Sequence, residues 1–201
     1  MESVDRFYRS YLKYLNQYDG DTLFILLNSL HSLNHKLMSE HKIDLFKTNE
    51  FITLQTIRNH LHHESEITNK LTTIPVSNKL NIETDLIFLC LMNKHDLETS
   101  IDNIKNKHKE KHREIINKTV HCYGSIINIG HVIFNMAAKL IIILNKNKIK
   151  GKSEEYFKNY NAVMSDISNN YSITISGKIF TQANNVSEIE GALRNIIKSN
   201  N

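Results

Sequence analysis

Apolar residues recur at three- and four-residue steps through most of the first three quarters of the chain, the period of helices that bury one face. Phe7, Tyr11, Tyr14, Leu15 and Tyr18 mark a first helix over residues 4–18, closed by Asp19-Gly20. A second helix starts at Asp21, read as its N-cap, and carries Leu23, Leu26, Leu27, Leu30, Leu33 and Leu37 on one stripe, with Asn28, His31 and His35 on its other side. A third, over residues 49–65, turns Phe51, Leu54, Ile57 and Leu61 inward. After a turn at 72–77, the spacing of Leu86, Cys90, Leu97, Ile101 and Ile104 predicts a long helix from about residue 82, whose continuation over 105–113 lacks an apolar face. Residues 119–144 read as a further, strongly apolar helix.

Residues 126–144 are long enough to raise the question of a membrane span. Asn128, His131, Asn135 and Lys139 share one helical stripe there, which marks a nearly buried helix with one polar edge and argues against a span. Beyond the basic loop 145–152, Ser153 is placed to cap a helix with Phe157, Tyr160, Met164 and Ile167 on one face. The alternation of YSITISGKIFTQ around Ser-Gly predicts a β-hairpin. A capping box from Ser187 to Glu190 opens a last helix with Ile189, Leu193, Ile196 and Ile197 inward. The expectation is a mostly α protein: a helical bundle over 1–150 with a C-terminal helix, hairpin and terminal helix over 151–201, packed on the same domain.

Composition changes this picture little. With 201 residues, 40% hydrophobic and 23% charged, the chain can bury a substantial core. A formal net charge of +4 leans toward acidic partners without requiring them. Cys90 and Cys122 lie in apolar patterns without metal-knuckle or redox spacing, so both are expected to be reduced core thiols, as in the cytoplasm. The opening MESVDRFYRSYLKYL has no apolar run followed by small residues, so no signal or transit peptide is expected.

The densest chemistry is Arg58-Asn59-His60-Leu61-His62-His63. A permanently charged guanidinium beside imidazoles that titrate near neutrality suits phosphate chemistry. On a helix, Arg58 falls on the rim of the apolar face, Asn59 and His63 are i,i+4 neighbours, His62 lies on the Arg58 row, and His60 pairs with Glu64. Spacing alone leaves open which histidine acts as base.

An arginine followed by Asn, with a histidine little more than one helical turn onward in a small helical domain, resembles the HEPN superfamily. Many of its members are metal-independent ribonucleases. The resemblance covers the helical outline of roughly the first 120 to 140 residues and rests on Arg58, Asn59 and His63. It implies His63 as the base that takes the 2′-hydroxyl proton, Arg58 as the stabiliser of the phosphorane charge, and Asn59 as the residue orienting His63. It also implies a homodimer in which two Arg-His sets form a composite site, RNA as substrate, no cofactor, and a toxin or phage-defence role with a possible antitoxin or regulatory protein. The alternative within the resemblance is a non-catalytic module that binds nucleotide, RNA or a protein.

His60 and His62, the row Asn28, His31 and His35, and the basic run Lys105, Lys107, Lys109, Lys111 and Arg113 are candidate RNA contacts; the run contains no aromatic residue to stack bases. His31/His35 and His108/His112 each have the i,i+4 spacing that lets two imidazoles share an ion, but no HExxH string occurs and no carboxylate is placed as a third ligand, so no metal site is expected.

Overall fold

The chain opens with two long helices, α1 (Glu2–Gln17) and α2 (Gly20–His41), that pack against each other. Tyr18 ends α1 in the left-handed conformation, and Asp19 rather than Asp21 is the N-cap of α2, its carboxylate accepting from the Thr22 amide at 2.7 Å. The structure is a computed structural model that describes residues 1–63, 71–76, 82–181 and 186–199, without the side chains of His62, His63, Leu71, Ile196 and Ser199. Among the described residues the protein is mostly α, with eight helices and one four-stranded antiparallel sheet.

After a 3-10 turn (Leu45–Lys47) comes α3 (Asn49–His63), which contacts α2, α4 (Lys94–Asp102), α5 (Asn106–Thr119) and α6 (Gly130–Lys146). Phe51, Ile52, Leu54, Ile57 and Leu61 are all buried, and so are the polar residues Glu50, Thr53, Gln55 and Thr56 between them. It is the central helix of the bundle. Lys139 of α6 donates to the Glu50 carboxylate at 2.7 Å and ties the two helices together.

The sheet replaces two expected helical stretches. β1 (Leu71–Pro75) lies where a turn was expected, and β2 (Phe88–Asn93) lies inside the long helix expected from residue 82. β3 (His121–Tyr123) and β4 (Ile126–Asn128) lie at the start of the helix expected over 119–144, and the strand order is β1-β2-β4-β3. Phe88-Leu89-Cys90-Leu91-Met92 has no single apolar face because both of its faces are covered. Phe88, Cys90 and Met92 join the bundle core, whereas Leu89 and Leu91 join a second core with Ile74, Tyr123 and Ile126. A strand buried on both sides carries no period of its own. The β3–β4 connection turns at Gly124-Ser125, with Gly124 at φ +62°, a conformation a side chain disfavours. α5 is a separate helix rather than a continuation, and it packs on α3 through its buried Ile116.

The C-terminal region also departs from expectation. α7 (Glu154–Ser168) is capped by Ser153 as read, but its inward residues are Tyr156 and Val163, while Phe157 and Ile167 are exposed. The Asp5 carboxylate of α1 accepts from the Lys152 and Ser153 amides at 2.6 and 2.8 Å, which anchors the start of α7 on α1. Residues 171–181 form no hairpin; their one ladder contact is the bridge between Glu83 and Phe180. Side chains satisfy this backbone instead. Asn135 donates to the Ile175 carbonyl and accepts from its amide, Asp85 accepts from Ser176 and Gly177, and the Tyr123 hydroxyl accepts from Ile179.

α8 (Val186–Ser199) starts one residue before Ser187, and Glu190 accepts from the Ser125 hydroxyl and amide and pairs with Arg194, which clamps the helix on the β3–β4 turn. Ile189 and Leu193 of α8 close the second core. Cys90 is buried, but Cys122 is exposed, contrary to its reading as a core thiol, because alternate residues of the edge strand β3 face outward. Among the described residues no helix is long and apolar enough to cross a membrane; the polar stripe of α6 is a seam against the rest of the fold, with His131 donating to the Thr119 carbonyl, Asn135 holding residue 175 and Lys139 holding Glu50.

Candidate functional site

The α2–α3 contact brings the polar row of one helix onto the Arg-Asn pair of the other. Arg58 Nε donates to Asn28 Oδ1 at 2.9 Å, and its Nη1 donates to Asn59 Oδ1 at 3.3 Å. Asn59 Oδ1 also accepts from Gln55 Nε2 at 2.7 Å, and Gln55 Oε1 lies 2.8 Å from His31 Nδ1. His31 and His35 meet through their Nε2 atoms at 3.1 Å, with the rings edge to face.

Arginine fixes the direction of every bond in this chain. A guanidinium only donates, so Asn59 must present its oxygen, which makes the Gln55 nitrogen the donor and turns the Gln55 oxygen toward His31. His31 Nδ1 therefore carries a proton and donates it. In neutral His31 the Nε2 lone pair faces His35, which donates from its own Nε2. The network thus presents a cation and an imidazole held in its basic tautomer on one surface.

Arg58 is half-buried, and partial burial lowers its pKa from the ordinary value without discharging a group that is permanently protonated. Its two described partners are neutral amides. Among the described residues no carboxylate pairs with it, so its charge is positioned but not neutralised.

The remaining candidates are spread unevenly. The motif's two last histidines end α3, and the side chains of His62 and His63 lie outside the described residues, as does Glu64, the expected partner of His60. His60 points inward and is 2% exposed, rather than lying on a polar face. On α5, Lys107 and Lys111 are exposed, as is Lys105 at its N-cap, whereas Lys109 and Arg113 sit 3.6 and 3.0 Å from the Asp102 carboxylate. Two of the five basic residues of the run are therefore already paired. The His108 and His112 rings stack at 5.7 Å; among the described residues no group of three or more His, Cys, Asp or Glu is arranged to hold a metal.

No protein-family model, no curated protein and no solved structure matches the chain. The site is therefore argued on its geometry. Sequence reading missed Gln55, which joins the α2 row to the Arg-Asn pair. Its signal was a glutamine with i,i+4 spacing to Asn59.

Proposed function

We propose that this protein is a metal-independent endoribonuclease of HEPN type that cleaves RNA by attack of the ribose 2′-hydroxyl on the adjacent phosphate. The observation that carries the reading is Arg58: a guanidinium held by two amide oxygens, with no acid neutralising it among the described residues, on the same surface as imidazoles. Such a group is preorganised for the charge that grows on a phosphorane. His63 takes the 2′-hydroxyl proton. The Asn59 oxygen is committed to Gln55 and Arg58, which leaves its amide nitrogen to orient His63 one turn on.

A protonated imidazole must also supply a proton to the departing 5′-oxygen, and a second copy of the chain would provide it across a two-fold axis. Because α3 is enclosed by its own bundle, that contact would be made by the C-terminal end of α3 and the His31/His35 face of α2. A toxin or antiviral role, with an inhibitory partner, fits this chemistry.

The test is incubation of the purified protein with total RNA, with and without EDTA. Cleavage should survive chelation and leave 2′,3′-cyclic phosphate ends. His63→Ala should lower it by about 10²–10⁴-fold, while His31→Ala with His35→Ala keeps most of it. Wild-type protein that cuts no RNA, or activity that disappears on chelation and returns with zinc or manganese, refutes the reading.

A further inference from the structure

Gln55 and Asn59 also line a cleft of about 340 Å³ between α3, the 3-10 turn, the end of α4 and α5. It lies at the small end of the range for ligand pockets, which suits one nucleotide rather than a polymer segment. One wall is a ladder of near-parallel rings. Phe46 stacks on His112 at 6.4 Å with planes 19° apart, and His112 on His108 at 5.7 Å and 18°. Phe46 is 43% exposed although its surroundings are rigid: the carboxylate of Asp44 accepts its amide, Leu45 beside it is fully buried, and Phe51 meets its ring edge to face at 4.9 Å. An exposed aromatic held this firmly loses little freedom when a flat ligand stacks on it.

The opposite wall is polar and neutral. The Thr56 and Ser100 hydroxyls donate to the Ile52 and Asp96 carbonyls and so turn acceptor lone pairs to the cleft, Gln55 is held in the Arg58 network, and the Asn103 amide can both donate and accept, as the edge of a nucleobase requires. Lys105 and His108 stand at the rim, and no carboxylate lines the cleft among the described residues. A flat heterocycle with mixed donors and acceptors, attached to an anion, fits all three features.

We infer that this cleft is a base-binding subsite: it takes one nucleobase of single-stranded RNA against the Phe46–His112 ladder, with the attached phosphate at Lys105. Gln55 and Asn59 belong to both the cleft wall and the Arg58 network, so a base seated here delivers its neighbouring phosphate toward Arg58. The choice of RNA as ligand rests on the ribonuclease reading; the cleft's preference for a base plus phosphate does not.

The experiment titrates the four nucleoside 5′-monophosphates, with ribose 5-phosphate as the probe lacking a base, into the whole protein by calorimetry. At least one monophosphate should bind more than about tenfold tighter than ribose 5-phosphate, since stacking one base is worth roughly 1–3 kcal/mol. Phe46→Ala should abolish that difference, Phe46→Tyr should retain it, and Lys105→Ala should weaken monophosphate and ribose 5-phosphate alike. Thermal melts show whether each variant is folded, and the tyrosine variant keeps the test decisive if the alanine variant is not. Equal binding of monophosphates and ribose 5-phosphate overturns the inference, as does a folded Phe46→Ala protein that still prefers the base. A protein that cuts no RNA yet shows the Phe46-dependent preference keeps the cleft and loses the nuclease. A protein that cuts RNA yet binds the monophosphates no tighter than ribose 5-phosphate, with an unchanged KM in Phe46→Ala, keeps the nuclease and loses the cleft.

Discussion

Lys139→Met isolates the tie that fixes the central helix. The substitution keeps the apolar stem and removes the ammonium that donates to Glu50 at 2.7 Å, leaving a carboxylate in a residue only 7% exposed. Breaking a fully buried pair by deleting one partner costs about 3–5 kcal/mol. The Lys139 side chain is 39% exposed, so water reaches its end and screens the pair, which brings the expected loss to about 2 kcal/mol. For a chain of this size that lowers Tm by roughly 4–8 °C. Glu50→Leu combined with Lys139→Met should recover much of the loss, because an apolar pair leaves no charge to solvate. Denaturant unfolding of the wild type, both single variants and the double variant yields the coupling directly. A Tm shift below about 1 °C in Lys139→Met, or a double variant no more stable than the single one, would show that the pair does not hold α3 to α6.

Three further outcomes follow from groups described above. Burial raises the pKa of Asp5, but the Ser153 and Lys152 amides it accepts outweigh that and hold it below the ordinary 3.8. Its contribution to stability is therefore present above the unfolded value and is lost as pH falls through the folded one; Asp5→Asn should cost about 2 kcal/mol at pH 7, a penalty that shrinks in acid melts if the reasoning holds. His131 is pushed below 6.5, chiefly by burial, so the unfolded chain binds a proton that the folded one refuses; stability should drop as pH falls below that value, and a ring that titrates at or above it by NMR contradicts this. Asn28→Leu removes an acceptor that positions Arg58 while leaving α2 helical, so RNA cleavage should fall about tenfold or more with Tm within a few degrees; unchanged cleavage would separate the α2 row from the site.

The helices with one apolar stripe, α1, α2 and α3, were legible because their burial is one-sided and the pattern records it. The strands were not. Phe88–Met92 packs into two cores at once, which erases the alternation that marks a half-buried strand, and in β4 Ile126 and Ile127 likewise face different cores. The α7 face was misassigned in part because the sequence offers Phe157 and Tyr156 as neighbours of similar apolar content; Tyr156 goes inward against Tyr8, while Tyr160 packs on the core as expected. At the site, the Arg58-Asn59 pair and the α2 row were each visible. Their convergence through Gln55, and the approach of Phe46 to the histidines of α5, depend on how the helices cross, which no local pattern encodes.

The segment from residue 175 to 179 receives its hydrogen bonds from the side chains of Asn135, Asp85 and Tyr123. Apart from Ile175 and Ile179, which pack into the second core, specificity there is carried by the receivers, since what they recognise is main chain that nearly any residue supplies. Mutational tolerance should therefore be lopsided. Lys178, exposed and bonded there only through its main chain, can vary freely while Gly177, at φ +65° with the His131 side chain where a Cβ would sit, cannot, and the three receivers should resist replacement although they lie far away in sequence. A saturation scan scored for stability would reveal a stretch of chain whose address is written largely in other parts of the protein.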